Sequence, residues 1–229
     1  MRALINLCER TLPGSVIDED GFEMWFEGSK IVDDNGDPLL VYHGTTGNFS
    51  VFSDEDIPYR GGILAFFSTS AEFASGYATE NSGANVMPCY LRSVKPFDFR
   101  KSWREAEYFW EDTGGIQDQY EINRILSGLG HEVDMEDTDS ELTEEQFVSV
   151  VKAGGWDAIE APEFIEYLRE SGYDSIVLLE NGAINFGIFN ANQVKSAFSK
   201  GFDGDSDDVT EGHWGKAPDG TTRYHRSAI

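Results

Sequence analysis

The residue types best suited to chemistry in this chain gather at one strand end. Leu39-Leu40-Val41-Tyr42 is an apolar run with β-branched and aromatic members, the pattern of a buried strand. It stops in His43-Gly44-Thr45-Thr46. Histidine exchanges a proton near neutral pH and hydrogen-bonds through either ring nitrogen. Glycine lets the backbone approach a ligand, so these residues can form the mouth of a small-molecule site. They also fit a core strand that ends in a turn around a satisfied histidine. Other chemistries find less support. Cys8 and Cys89 sit among apolar neighbours, as buried thiols in a reducing cytosol do. No Cys/His group has metal-site spacing. No Gly-x-Gly-x-x-Gly follows a strand, so a dinucleotide would not be held in the Rossmann manner.

The elements around His43 follow from local patterns. Lys30-Ile31-Val32 and Leu39–Tyr42 flank Asp34-Asn35-Gly36-Asp37, a hairpin signal whose second strand delivers His43. After a polar loop carrying Phe49 and Phe52, Ile63-Leu64-Ala65-Phe66-Phe67 predicts a second strand, closing in Ser68-Thr69-Ser70. Ser70 can cap a helix with Glu72 in its first turn. Phe73 and Tyr77 share a face of that helix, which is expected to stop near Ser82-Gly83. Val86–Leu91 is a third strand, with Pro88 predicting an edge or a bulge. Ala3–Cys8 is helix-like, and Phe22, Trp25 and Phe26 are packing residues.

The chain carries a formal net charge of -25 over 229 residues. Such a chain repels phosphate backbones, which disfavours direct nucleic-acid binding and suits a basic protein partner or mimicry of nucleic acid. Fourteen acids face three bases between Lys101 and Val150, so much of the charge is concentrated there. Periodicity predicts helices at 103–111, 118–129 and 143–153. We read them as a helical acidic insertion, about 101–160, inside a single domain spanning 1–198. Trp103, Tyr108, Phe109 and Trp110 are packing residues of its first helix. No apolar stretch is long enough to span a bilayer, and Met1–Ser15 lacks signal-peptide character, so a cytoplasmic location is expected. Pro162 opens a further helix that ends at Ser171-Gly172. Tyr173–Leu179 and Ala183–Phe189 form a hairpin around Asn181-Gly182, with Glu180 as a turn carboxylate. Residues 199–229 form a Gly/Asp-rich tail, expected to be flexible.

In order, these pieces are Trp25–Leu39, Tyr42-His43-Gly44-Thr45, Phe66–Ala78 and Tyr173–Ala197. Together they resemble the ADP-ribosyltransferase superfamily, most closely the branch in polyvalent proteins of phages and mobile elements. The resemblance covers about 24–100 and 163–198. It implies an α+β fold: an ADP-ribosyltransferase-like split antiparallel β-sandwich of two small sheets around an NAD cleft. NAD would be the substrate. His43 would hydrogen-bond it, with Gly44 and Thr45 at the same strand end, and the Gly44 backbone would hold the nicotinamide amide. Tyr77 would stack on nicotinamide, Phe66 or Phe67 would wall the pocket, and Ser68 and Thr69 would support it. Arg60 would meet a phosphate.

The family's glutamate precedes an aromatic in the late hairpin, and here that position is Asn185. Asparagine can hold the ribose 2′-OH but supplies neither negative charge nor a base. Glu180, on the neighbouring strand end, is the substitute within reach. The expected function is mono-ADP-ribosyl transfer from NAD to a macromolecule, a protein acceptor of basic character, by a phage factor acting on a host target. The alternative is an inactive relative: an NAD binder, or an acidic interaction protein that mimics DNA.

Overall fold

A computed structural model describes residues 19–46, 51–52, 62–78, 85–199, 206, 208, 214–216 and 222–224. In chain order the elements are α1 (Glu19–Phe26), β1 (Val41–Thr45), β2 (Ala65–Ser68), α2 (Ala71–Ser75), β3 (Asn85–Leu91) and β4 (Pro96–Asp98). Then come α3 (Arg104–Thr113), α4 (Gln119–Gly128), α5 (Glu144–Lys152), α6 (Trp156–Ile159) and α7 (Pro162–Glu170). The chain closes with β5 (Ser175–Glu180), β6 (Ala183–Ile188), a 3-10 turn at Ala191–Gln193, β7 (Val194–Ser196), β8 (Trp214–Lys216) and β9 (Thr222–Tyr224). Two compact units result: Met1–Ser53, Phe67–Val94 and Asn190–Ile229 in the first, Asp54–Phe66 and Lys95–Phe189 in the second.

In the first unit the strands run β2-β1-β3-β7, every pair antiparallel. Phe22 and Trp25 turn inward from α1 onto Tyr90 and Ala197, as their aromatic character predicted. The Trp25 indole N–H donates to the Asn192 carbonyl at 3.0 Å, so the ring is buried with its polar edge satisfied. The hairpin predicted before β1 shrinks to a single bridge, Val32 to Pro38. Asp33 Oδ1 accepts from the N–H groups of Asn35 and Asp37, which closes the turn, and Pro38 has no N–H to extend a ladder. Strand β3 lies between β1 and β7, but Pro88 stands just past the end of the β7 ladder, locally an edge position. It is tolerated because β7 pairs only with Cys89, Tyr90 and Leu91, while the Pro88 carbonyl still accepts from Ala197 N–H at 2.9 Å. Within β7, Lys195 is fully buried, and its ammonium donates to the carbonyls of Ser206 (2.6 Å) and Asp208 (3.3 Å).

The second unit has β4 parallel to β5 and β5 antiparallel to β6, under a helical layer. Its core is aromatic: the ring centroids of Phe109, Phe147 and Phe164 lie 5.3–5.5 Å apart, all three buried. The predicted acidic helices are α3, α4 and α5. Asp118 Oδ1 accepts from Glu121 N–H to start α4, and Thr143 and Gln146 exchange bonds in a capping box at α5. Pro162 sits in the first turn of α7. The acids of 131–141 are exposed, as a solvated face requires. Neither β4 nor the single-turn α6 was predicted, being too short to show a period. Within β2, Ala65 and Phe66 belong to the second unit, Phe67 and Ser68 to the first.

Candidate active site

In the first unit, β1 ends in His43-Gly44-Thr45, with Thr45 buried. The His43 ring lies edge-on to Phe52 (centroids 5.0 Å, 80°) and 5.2 Å from Phe67. Phe52 and Phe67 also touch at 5.7 Å, so an aromatic corner orients the imidazole. Phe67 is only 1% exposed and backs His43 rather than offering an open wall, while Phe66 packs edge-on to Trp156 at 5.1 Å.

Gly44 is required by the chain itself. A Cβ there would overlap the Ala74 carbonyl oxygen and come within 3.3 Å of Tyr77 Cβ. The missing side chain therefore lets α2 sit against the strand end, which brings Tyr77 beside Gly44. Ser70 starts that helix, accepting from Phe73 N–H at 3.1 Å. Ser68, buried, accepts from Ser70 N–H at 3.1 Å, so its hydroxyl supports the turn. The helix ends at Ser75, earlier than predicted, and Tyr77 follows it in a turn. Phe73 and Tyr77 still touch at 5.7 Å, and Tyr77 is 57% exposed. A tyrosine held by its neighbours with a wet face can stack a planar ligand.

In the second unit, Asn181 (φ 49°) and Gly182 (φ 83°) form a tight hairpin turn with both residues left-handed, as Asn-Gly demands. Asn185 is 3% exposed, not a solvent-facing strand residue. Its Nδ2 donates to Glu180 Oε2 at 3.0 Å, and its Oδ1 is buried without a hydrogen-bond partner among the described residues. Gly187, on the same strand, leaves room for its neighbours: a Cβ would meet Ile176 and Phe66 at 2.8 Å each.

The expected residues thus fall into two groups, His43, Gly44, Thr45, Phe67, Ser68 and Tyr77 in one unit and Glu180 and Asn185 in the other. Arg60 and Phe49 lie outside the described residues, as do Cys8 and the predicted helix end at Ser82-Gly83. Burial pushes the Cys89 thiol well above its ordinary range, which keeps it inert. Among the described residues no three His, Cys, Asp or Glu side chains gather as metal ligands. No helix there is long and apolar enough to cross a membrane. A concavity of about 560 Å³ in the second unit is lined by Phe109, Tyr167, Glu163, Glu166 and Glu170, and none of the expected site residues lines it. Sequence reasoning missed Phe52 as the partner of His43. An isolated aromatic in a polar loop was its signal.

The family model described as ADP-ribosyltransferase in polyvalent proteins matches residues 33–203. That span is well over half of the chain and runs through the acidic helices as well as the strands, and the chain belongs to this family. No curated protein matches it. A solved structure titled "Crystal structure of an anti-CRISPR protein" is similar at 14% identity and a TM-score of 0.38, over 69% of this chain and 94% of that one.

Proposed function

We propose that the chain moves ADP-ribose from NAD to a protein acceptor, one unit per event, as a phage factor acting on a host protein. Family membership supports transferase chemistry in general. The observation that carries the finer reading is the seat of Tyr77 beside His43-Gly44: a glycine strand end on which α2 rests, with an exposed tyrosine ring next to it. His43 hydrogen-bonds the substrate from its aromatic corner. The Gly44 backbone holds the carboxamide of nicotinamide, and Tyr77 stacks on the pyridinium, whose positive charge favours an aromatic face.

The test is labelled NAD incubated with the protein and a bacterial lysate, beside His43→Ala and Tyr77→Ala. A labelled protein band that both substitutions remove supports the reading, and its identity names the acceptor. Bands of full strength in both variants would sink it.

The exposed acids of 131–141 favour one further role, docking of a basic partner. Its mark is capture that weakens steeply between low and high salt and ignores NAD.

A further inference from the structure

We infer that the concavity beside α7, wholly within the second unit, is a docking groove for an arginine-bearing segment of a basic protein. The inference goes beyond the transfer reaction and does not depend on it. Glu163, Glu166, Tyr167 and Glu170 follow one another at helical spacing, so they form one stripe of α7, and all four line the concavity. Its floor is aromatic. The Phe109 and Tyr167 rings meet edge-on at 5.6 Å, and the Tyr167 hydroxyl donates to Asp112 Oδ2 at 2.9 Å, which fixes its ring. The volume, about 560 Å³, is that of a ligand site.

The groove has no cation of its own. Among the described residues no lysine or arginine lines it, and none of its three glutamates forms an ion pair. Arg169, on the same helix, is engaged elsewhere: its Nη2 donates to the Gly62 and Phe189 carbonyls, and its guanidinium lies over the Phe189 ring at 4.7 Å. Glu163 is half satisfied. Its Oε1 accepts from the Gln117 and Asp118 N–H groups at 3.3 and 3.1 Å, while its Oε2 is buried with no hydrogen-bond partner among the described residues. A buried acceptor without a donor costs stability, and like charges three or four residues apart on a helix repel. A cation from outside relieves both.

Arginine fits each surface of the groove. Its planar face stacks on an aromatic floor, and its N–H fork pairs with a carboxylate. Glu163 and Glu170 are seven residues apart, about 10 Å along the helix axis. In a polyproline-type extended segment, residues three apart lie on one side about 9 Å from each other. An Arg-x-x-Arg segment therefore reaches both ends of the groove and passes Glu166 between them. The exposed acids of 131–141 and the net charge of -25 attract such a partner from a distance, and the groove is where its arginines seat.

The experiment is fluorescence anisotropy without NAD, using labelled peptides that carry Arg-Ala-Ala-Arg or Ala-Ala-Ala-Ala in an uncharged flank. The proteins are the full chain, E163Q/E166Q/E170Q, E166Q/E170Q, and E132Q/E136Q/E141Q, which removes the same charge from the exposed loop. Glutamine at 163 keeps the oxygen that the Gln117 and Asp118 N–H groups use, and Glu166 and Glu170 are exposed, so the groove variants fold, as their melting temperatures will check. We expect the arginine peptide to bind the natural chain at least tenfold tighter than the alanine peptide. The triple groove variant loses at least tenfold, the double variant at least threefold, and the loop variant stays within threefold of the natural chain. Natural affinity in both groove variants overturns the inference. So does an equal loss in the loop variant, which would put basic docking at 131–141 alone. Displacement of the peptide by an equal concentration of spermidine would assign the groove to a free polyamine and overturn the protein partner. None of these outcomes bears on nicotinamide release, so the transferase reading is tested separately.

Discussion

The Ala74 carbonyl oxygen occupies the space a side chain on Gly44 would need. Helix α2 and strand β1 are therefore packed as closely as backbone allows, and the glycine has a structural role independent of any ligand. Gly44→Ala must push the helix outward or distort the strand. We expect a loss of about 3 kcal/mol in urea unfolding, the upper range for overpacking. Nicotinamide release should fall with it. An alanine variant of natural stability would show that α2 can shift freely, and the seat of Tyr77 would then carry no weight.

Tyr77 separates stability from function. Its ring is mostly exposed and touches Phe73, so Tyr77→Ala should move stability by no more than about 0.5 kcal/mol. The same change should remove nicotinamide release, and Tyr77→Phe, which keeps the stacking face, should retain most of it. Thermal unfolding and a nicotinamide assay on both variants decide this. Loss of activity in the phenylalanine variant would point to the hydroxyl instead of the ring.

Much of this arrangement could be read from local chemistry. Asn181-Gly182, the Ser70 cap, Pro162 in the first turn of α7 and the Thr143 start of α5 all appear where turn and cap rules put them, because each depends on residues only a few positions apart. Contacts set by tertiary packing were not legible. Pro88 is tolerated in an interior strand because the β7 ladder stops at Cys89, a fact about residues a hundred positions away. Tyr77 leaves the helix early, yet Gly44 still holds it near the strand end. Glu180 looked like a turn residue until the register placed the Asn185 amide against it. Lys195 sits in the short strand Val194–Ser196, and carbonyls of the following segment accept from its buried ammonium.

The end of β4 gives a pH dependence. Burial works against the Asp98 charge, but paired bonds from Arg100 at 2.8 Å each and an ion pair with Lys101 at 3.0 Å outweigh it, and its pKa falls to about 2. The folded value lies below the unfolded one, so Asp98 stabilises the fold above the unfolded carboxylate range near pH 4 and loses that contribution as pH falls towards 2. Asp98→Asn should therefore lower the melting temperature at pH 7, and the gap to the natural chain should close between about pH 4 and pH 2. A gap that is constant over that range would mean the carboxylate contributes through packing and not through charge.

Lys195 offers a way to perturb the His43 corner from outside it. Its buried ammonium holds the Ser206 and Asp208 carbonyls, Asp208 is bridged to Val51, and the next residue, Phe52, lies edge-on to His43. Lys195→Met keeps the length of the side chain and removes the charge, which strips both carbonyls of this donor. Hydrogen bonds to a charged group are among the stronger ones, so we expect a loss of about 2–3 kcal/mol. With Asp208 released, the Val51 bridge loosens and Phe52 no longer fixes the imidazole, so the KM for NAD should rise more than kcat falls. Calorimetric NAD titration of K195M against F52A checks this, since both substitutions act on the same ring contact and should weaken binding to a similar degree. Weak binding in F52A with natural affinity in K195M would mean that the loop holds Phe52 without help from the segment after β7.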